Sequence, residues 1–327
     1  MISVRVPFRL PLGGGGTDLP NYYKQFGGQL VTASINQYMF VNINVPATAD
    51  KIRLYYAYTE VVNDVSEIKH DIIRESLKLH GINRPIEIGS MADIEARTGM
   101  GSSSAFTVGL LAGLNAIERK FISPVELAEE ASKVEIELVG KPIGKQDQYA
   151  TSLGGINELI IDKSGKVTVS PLRLDKEFII ELESRLMMFY TNVSRDANVI
   201  LSEQSLKAKD DVYVIEAMHE IKEIGQVIKK ALLAGDIDKF GQYLHNHWIV
   251  KKTISDKMSS SSIDRYYDKG LEYALGGKIM GAGGGGLLLF CCKEGQRRNL
   301  KEVMEKSGLR YVSFRFEFEG CKVLTNI

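Results

Sequence analysis

The chain has 327 residues, of which 44% are hydrophobic and 25% charged, and this composition is typical of a globular protein with one large or two smaller domains. Lysine plus arginine equals aspartate plus glutamate at 41 each, so the charge gives no support to a nucleic-acid or acidic-membrane partner. Three cysteines, two of them adjacent, cannot form a disulfide framework and lack metal-site spacing. Arg5 and Arg9 interrupt any signal-peptide core, and the apolar runs are too short for a membrane span, so we expect a soluble cytoplasmic protein.

The first part of the chain reads as strands followed by helices. Residues 2–10 alternate, and residues 29–45 are rich in Val, Ile, Tyr and Phe, which predicts β-structure over the first 60 residues. Residues 66–80 predict an amphipathic helix that stops at Gly81. A short strand, I-E-I, precedes a helix over 105–117, and Ser123 with Pro124 begins another helix.

The second part changes from strands to helices. After a loop over 140–148, two strands follow that are joined by the turn K-S-G, and residues 184–193 predict a further strand. Helical sequence then dominates from 198 to 274, broken near Gly235, before a Gly-rich segment and final strand-like segments. We predict an α+β fold with two domains, residues 1–180 and residues 181–327.

The stretch G-M-G-S-S-S-A-F, residues 99–106, places two glycines and three hydroxyl residues directly before the apolar helix. An ordinary N-cap explains one serine and a glycine turn. An anion site at the helix amino end explains all of them, because glycine lets the backbone approach a phosphate and the first amides point at it. From this stretch alone both interpretations stay open.

Glycines also cluster at 13–16 and at 281–286, so three clusters border predicted strands or helices. Three such clusters favour backbone surfaces that converge on a ligand with many acceptors. The third cluster matches G-x-G-x-x-G, but a strand-like L-L-L-F follows it, so the dinucleotide-binding context fails. A close-packed turn or bulge is the alternative for this cluster.

Two acidic residues are candidates for chemistry. Asp147 lies in the predicted loop G-K-P-I-G-K-Q-D-Q-Y among cations and amides, where a carboxylate stays ionised and can accept a proton from a hydroxyl. Glu135 lies on the preceding helix, where an exposed position is the default interpretation. His245 and His247 follow a helical pattern and are expected to be packing or solvated residues.

Together these segments resemble the GHMP kinase family along essentially the whole chain. R-T-G-M-G-S-S-S-A (97–105) is similar to its nucleotide-phosphate loop, and K-I-M-G-A-G-G-G-G (278–286) to its third motif. V-P-F-R-L-P-L-G-G-G-G-T-D (6–18) is similar to the first motif of galactokinases. Three motifs in this order are specific, whereas any one of them would be weak.

The sequence departs from the family pattern at two places. Glu95-Ala96-Arg97 stands where the second motif usually opens with Pro, and Gly15-Gly16 replaces the Glu-His pair that borders the sugar in galactokinases. G-G-G-G-T-D-L-P-N-Y-Y, G-K-Q-D-Q-Y and T-x-x-S-R-D-A are similar instead to the bacterial branch that phosphorylates D-glycero-D-manno-heptose 7-phosphate.

The resemblance implies a ribosomal-protein-S5-domain-2-like N-terminal domain, a ferredoxin-like C-terminal domain, and ATP and Mg²⁺ as cofactors. It implies that Ser103 and Glu135 hold the magnesium. The residues that it implies for the nucleotide are Gly99, Gly101, Ser102, Ser103, Ser104, Gly281, Gly283 and Gly284.

The resemblance further implies that Asp147 accepts the proton of the attacking hydroxyl and that Arg9 keeps this carboxylate charged. Gly16, Thr17 and Asp18 would border the sugar. An acceptor that carries a phosphate needs a second cationic pocket, for which Lys145 and Arg195 are candidates. Arg97 is more simply a surface charge.

The expected activity is phosphorylation of the anomeric hydroxyl of heptose 7-phosphate, for nucleotide-activated heptose and surface polysaccharide. The expected partner is a small sugar phosphate, with no nucleic acid or membrane, and the protein is expected to be a monomer or homodimer. The alternatives are a kinase for an unphosphorylated sugar such as galactose or fucose, and a non-catalytic ATP- and sugar-binding sensor. A mevalonate-type decarboxylase is disfavoured by the form of the first motif.

Overall fold

A computed structural model describes residues 1–193 and 197–326, with the side chains of residues 197–199 left aside. The strands are β1 (Ile2–Gly13), β2 (Gly28–Asn44), β3 (Ile52–Tyr55), β4 (Thr59–Val62), β5 (Glu87–Ala92), β6 (Ile156–Ile161), β7 (Val167–Pro171), β8 (Leu186–Tyr190), β9 (Ala274–Ile279), β10 (Leu287–Cys292), β11 (Arg310–Val312) and β12 (Lys322–Asn326). The α-helices are α1 (Pro20–Phe26), α2 (Asp71–Leu79), α3 (Ser102–Ile117), α4 (Pro124–Ser132), α5 (Gln146–Leu153), α6 (Lys176–Arg185), α7 (Ala197–Asp210), α8 (Val212–Leu233), α9 (Ile237–Ile254), α10 (Ser261–Leu271) and α11 (Arg297–Lys306). Short 3₁₀ turns span Val65–Glu67 and Asp256–Met258, and a π-helix spans Lys133–Leu138.

The strands form two sheets within the described residues. The first follows the order β12-β1-β2-β5-β3-β4, and its long strand β2 also pairs with β6, which pairs with β7. The second sheet has the order β11-β8-β10-β9 and is antiparallel throughout. The mixture of sheets and helices is the α+β fold that the sequence predicted.

The buried helix α3 packs along β1 and β2 and forms the centre of the core. Its glycines permit the close approach, because a Cβ at Gly109 would lie 2.8 Å from Val41 and one at Gly113 would lie 2.5 Å from Ile43. A second apolar cluster surrounds Trp248 and Phe290 beneath the second sheet. Cys292 is buried in this cluster and the adjacent Cys291 in the main core, both as small apolar residues, as the sequence predicted.

The last strand returns to the first sheet. β12 pairs antiparallel with β1, so residues 322–326 extend the sheet that the first strands begin. The predicted boundary at residue 180 falls inside α6, shortly before the second sheet begins at Leu186. The division into domains at this residue stays a prediction.

Three predicted elements differ from the structure. The predicted helix over 66–80 is a 3₁₀ turn followed by α2, because the Asp64 side chain accepts from Ser66 N and His70 caps α2. The predicted strand over 184–193 is limited to β8, since residues up to Arg185 belong to α6.

The predicted loop over 140–148 is wrong at its end, because α5 begins at Gln146. Asp147 therefore lies in the first turn of a helix. Most of this helix is buried polar sequence, so the apolar periodicity that reveals a helix is missing. Elsewhere, Ser123 caps α4 in a capping box with Glu126, as predicted. Across the described residues, no helix is both long enough and apolar enough to cross a membrane.

Candidate active site

Two adjacent cavities lie where the glycine-rich segments of the chain meet. The outer cavity has a volume of about 570 Å³ and the inner cavity about 80 Å³. Arg9, Asp147 and Gly281 line both cavities. The arrangement is a groove with two compartments that share one carboxylate.

The second and third glycine-rich motifs touch through their main chains. A Cβ at Gly99 would lie 2.5 Å from the carbonyl oxygen of Met280, and one at Gly281 would lie 2.6 Å from the carbonyl oxygen of Gly99. Both glycines also have positive φ, +84° and +70°. Only glycine satisfies the space and the conformation together at these positions.

The amino end of α3 opens on the outer cavity. The helix begins at Ser102, and Gly101 before it has φ of +75°. Gly99, Gly101 and the serines 102–104 line the cavity. The site therefore has the geometry of an anion site at a helix amino end, which supports the second interpretation of the G-M-G-S-S-S segment.

Asp147 forms a bidentate ion pair with Arg9 of β1. Arg9 Nε donates to Oδ1 at 2.6 Å and Nη2 donates to Oδ2 at 2.9 Å, while Nη1 donates to the carbonyl oxygen of Gly99. Gly101 leaves room for the carboxylate, since a Cβ there would lie 2.8 Å from Oδ2. The pair fixes the position of this carboxylate where the two cavities meet.

Ser103 and Glu135 meet at the wall of the outer cavity. The Ser103 hydroxyl donates to Glu135 Oε1, and Gln148 Nε2 donates to Oε2 at 2.7 Å. Lys141 Nζ donates to Ser103 Oγ at 2.6 Å and to Glu135 Oε1 at 3.3 Å. Glu135 is fully buried, so the expectation of an exposed helix position is wrong.

Sequence reasoning missed Lys141 and Gln148 at this wall. Both lie in the segment 140–149, in which the sequence predicted roles for Asp147 and Lys145. Residue type alone could not separate Lys141 from Lys145, because both are lysines in the same segment immediately before α5.

Asp18 lies on the inner cavity and accepts hydrogen bonds from two backbone amides, Gly16 N and Gln146 N, each at 3.0 Å. Burial raises its pKa above the usual range, although both amide hydrogen bonds oppose that shift. Gly16 lines the same cavity. Thr17 is buried away from both linings, and its hydroxyl donates to the carbonyl oxygens of Gly14 and Gln29. Thr17 therefore shapes the turn rather than the cavity surface.

Lys145 does not join the site. Its ammonium group donates to both oxygens of Glu129, at 3.1 and 2.8 Å, and to the carbonyl oxygen of Gly165 at 2.8 Å. Lys145 lies outside the linings of both cavities. Arg195, the other candidate, lies outside the described residues. Arg97 is exposed on the rim of the outer cavity.

Gly283 and Gly284 are used for packing. A Cβ at Gly283 would lie 2.8 Å from the carbonyl oxygen of Met258, and Gly284 N donates to the same oxygen at 2.7 Å. Lys278, Gly281 and Ala282, in the first half of this motif, line the cavities. The close-packed turn that the sequence left as an alternative thus describes the second half of the motif.

Three cationic or titratable residues of the inner cavity were missed. Lys251 and His247 lie four residues apart on one face of α9, and Lys278 lies on β9. His247 is fully buried at the cavity rather than merely packed or solvated, whereas His245 Nδ1 pairs with Tyr267 at 2.8 Å. The His-x-x-x-Lys spacing could have shown that His247 and Lys251 share one face of a helix, but a helical pattern alone does not show which face meets a cavity.

An aromatic group lines part of the outer cavity. Tyr56, His70 and Phe106 line it, with His70 in contact with both neighbouring rings at centroid distances of 4.8 and 5.3 Å. This part is suited to a flat ring, whereas the amino end of α3 is suited to an anion.

Family models match both halves of the chain. The GHMP kinases N terminal domain matches residues 65–155, and the GHMP kinases C terminal domain matches residues 228–309. D-glycero-alpha-D-manno-heptose 7-phosphate kinase of Campylobacter jejuni is 29% identical over 98% of this chain and 98% of its own length.

Solved structures share the fold. A D-glycero-D-manno-heptose 1-phosphate kinase from Bacteroides thetaiotaomicron superposes with a TM-score of 0.83 at 24% identity, covering 100% of both chains. A putative sugar kinase from Campylobacter jejuni gives 0.77 at 27% identity, covering 98% of this chain and 97% of its own. With the ordered motifs, the shared carboxylate and the two matched domains in agreement, the chain belongs to the GHMP kinase family.

Proposed function

We propose that the protein is an ATP- and Mg²⁺-dependent kinase that phosphorylates the anomeric C1 hydroxyl of D-glycero-D-manno-heptose 7-phosphate, giving the 1,7-bisphosphate. The observation that carries the proposal is the Arg9–Asp147 ion pair between the two cavities. We further propose that the enzyme is cytoplasmic and that residues 1–180 form the domain that binds ATP and the sugar and carries the catalytic aspartate. The bisphosphate would feed nucleotide-activated heptose and surface polysaccharide.

In the proposed reaction, the C1 hydroxyl oxygen attacks the γ-phosphorus of ATP while the bond to the β–γ bridging oxygen breaks and ADP leaves. The hydroxyl proton passes to the Asp147 carboxylate. Arg9 donates to both carboxylate oxygens and so orients Asp147. Its guanidinium group would also lie beside the negative charge that develops on the transferred phosphoryl group. Such a transfer needs positioning and charge stabilisation but no covalent enzyme intermediate.

The nucleotide would lie in the outer cavity. The glycines and serines at the amino end of α3 would hold the β- and γ-phosphates, and the base would lie toward Tyr56, His70 and Phe106. Gly281, in main-chain contact with Gly99, would close the phosphate end.

Ser103 and Glu135 fit a magnesium ion. Their oxygens are hydrogen-bonded to each other, and the Lys141 ammonium group contacts both, so a cation already neutralises this point. The described residues hold no group of three or more His, Cys, Asp and Glu side chains placed for a metal. One carboxylate and one hydroxyl are nevertheless sufficient, because Mg²⁺ completes its shell with waters and phosphate oxygens. When bound, the ion would neutralise charge on the β- and γ-phosphates.

The test is ADP release by purified protein with ATP and Mg²⁺, measured with a panel of acceptors: heptose 7-phosphate, heptose 1-phosphate, unphosphorylated mannoheptose, galactose and fucose. The 1-phosphate is included because the two named relatives differ in the position of the sugar phosphate. Asp147→Asn is the matched control, since it keeps the shape of the side chain and removes the base.

Turnover confined to heptose 7-phosphate and reduced about 10²- to 10⁴-fold by Asp147→Asn would support both the substrate and the base. Turnover on the 1-phosphate or on a free sugar would keep the kinase and replace the acceptor. ATP binding without turnover of any acceptor would favour the sensor.

A further inference from the structure

Two of the cations that line the inner cavity, Lys251 and Lys278, form no ion pair with a carboxylate among the described residues. Lys251 and Lys278 are 7% and 2% exposed. Lys251 Nζ donates to the carbonyl oxygen of Gly281, and Lys278 Nζ donates to that of Leu12 at 3.4 Å. Within the described residues neither lysine forms an ion pair, although buried lysines are normally paired.

The carboxylates nearby are already engaged. Arg9 takes both oxygens of Asp147, and the two oxygens of Asp18 each accept a backbone amide. Burial, followed by repulsion from neighbouring cations, lowers the pKa of both lysines, to about 8 for Lys251. The cavity therefore has more buried cationic groups than its own acidic groups balance.

Neutral polar atoms in the same cavity are also without partners. Both ring nitrogens of His247 and the Nε2 atoms of Gln146 and Gln204 are buried and have no hydrogen-bond partner among the described residues. Leaving such a group unpaired costs about 1–3 kcal/mol in general, so several in one cavity indicate groups that a ligand completes.

A sugar hydroxyl could satisfy the amides and the imidazole, but it carries no charge to set against the lysines. A phosphate monoester does both, because it is dianionic near neutral pH and offers three acceptor oxygens. Lys251, Lys278 and His247 do not line the outer cavity, where the amino end of α3 already supplies an anion site for the nucleotide. The two anion-binding regions are therefore separate surfaces on either side of Asp147.

We propose that Lys251, Lys278 and His247 form an anion subsite that binds the phosphate which the acceptor sugar already carries. The inference rests on the proposed kinase function for its acceptor, but the subsite itself can be tested by binding alone. In this proposal Lys251 and Lys278 take the role that the sequence suggested for Lys145, which forms an ion pair with Glu129.

The first experiment compares Lys251→Met and Lys278→Met with a control, Lys222→Met. Lys222 of α8 also donates to main-chain carbonyl oxygens, those of Phe26 and Gly27, but lies outside the linings of both cavities. Steady-state kinetics would measure KM and kcat for heptose 7-phosphate and KM for ATP. We expect KM for the phosphorylated sugar to rise about 10- to 100-fold in the two subsite variants, with KM for ATP unchanged and the control unaffected.

The second experiment needs no turnover. Inorganic phosphate is titrated calorimetrically into each variant with saturating ADP and Mg²⁺, so that the nucleotide site is filled. Loss of phosphate binding in both subsite variants, but not in Lys222→Met, supports the subsite even if no acceptor is phosphorylated. His247→Asn, expected to weaken binding, serves as the additional variant if thermal melting shows that either lysine variant is unfolded.

Two results would overturn the subsite while leaving the kinase intact. One is a KM for heptose 7-phosphate within about twofold of wild type in folded lysine variants. The other is a fall in kcat for heptose 7-phosphate with its KM unchanged, which would assign the lysines to the transferred phosphoryl group.

Discussion

The outer and inner cavities share Arg9 and Asp147 but differ in how completely their polar groups are paired. At the outer wall, Ser103, Glu135 and Lys141 are hydrogen-bonded to one another in a connected network, which Gln148 Nε2 joins while Gln148 Oε1 is buried without a partner in the described chain. In the inner cavity, His247, Gln146 and Gln204 have unpaired buried atoms in the described part of the chain.

The difference indicates two ways of binding an anion. A connected network keeps its geometry before the ligand arrives, which suits a site that orients a nucleotide. A cavity with unpaired groups carries an unfavourable free energy that the correct ligand removes, which suits discrimination between acceptors. The following predictions test this contrast in order of decreasing effect.

The largest effect is expected at the residue common to both cavities. Arg9→Met removes the bidentate partner of Asp147 and leaves a partly buried carboxylate without its cation. We expect kcat to fall about 10²- to 10³-fold for every acceptor, measured by ADP release. Retention of more than a tenth of wild-type kcat would contradict the shared role of this pair.

The next effect is confined to the outer cavity. Glu135→Gln keeps the hydrogen-bonding shape but removes the charge beside Ser103 and Lys141. We expect about 10- to 100-fold lower turnover and a higher Mg²⁺ concentration for half-maximal rate, with KM for the acceptor unchanged. A change in acceptor KM alone would show that the two cavities are not separable in this way.

The inner cavity should respond to pH. The pKa of Lys251 is lowered to about 8, first by burial and then by the charge of Arg9. The titratable and charged groups around Lys251 in the cavity are Arg9 of β1, Asp18, Asp147 of α5, Lys278 of β9 and His247 of its own helix.

A bound anion favours the protonated lysine, so phosphate affinity should be highest below pH 8. It should fall by up to about tenfold per pH unit above that value. The pKa of His247 is well below its usual range, so this residue stays neutral over the same interval. Calorimetric titration of phosphate into the wild-type protein between pH 7 and 9.5 measures this, and an affinity that stays constant over the interval would contradict it.

The smallest effect concerns the seam between the two glycine motifs. Gly99→Ala would place a Cβ 2.5 Å from the Met280 carbonyl oxygen at φ +84°, whereas Gly140→Ala has φ +77° but open space around its Cβ. Both variants carry backbone strain, and Gly99→Ala alone carries the clash. We expect Tm to fall by a few degrees more for Gly99→Ala than for Gly140→Ala, measured by calorimetry. Equal melting temperatures would show that the backbone near Met280 can shift to accommodate the added methyl group at little cost in free energy.

The sequence predicted the elements that have strong local signals. The buried helix α3 follows from an apolar run, and α4 follows from Ser123 and Pro124 at its start. It failed at α5, whose buried polar residues have no apolar periodicity to detect. It also failed to connect β12 with β1, because pairing between the two ends of a chain leaves no local pattern.

The site shows the same division. Arg9, Asp147, Ser103 and Glu135 were placed by motif resemblance, and the structure brings each pair into contact. Lys251 and Lys278 were missed, because their importance comes from burial without a carboxylate partner, which no residue pattern displays. Arg195 remains a prediction outside the described residues.

The pairing of β12 with β1 also sets an order of events during synthesis. β12 covers one edge of β1 and comes after all the strands of the second sheet in the chain. That edge of β1 is therefore unpaired until residues 322–326 have been synthesised. An uncovered strand is a template for pairing with other chains. Truncated forms that end before residue 322 should therefore aggregate, even though such forms keep every residue that lines the two cavities.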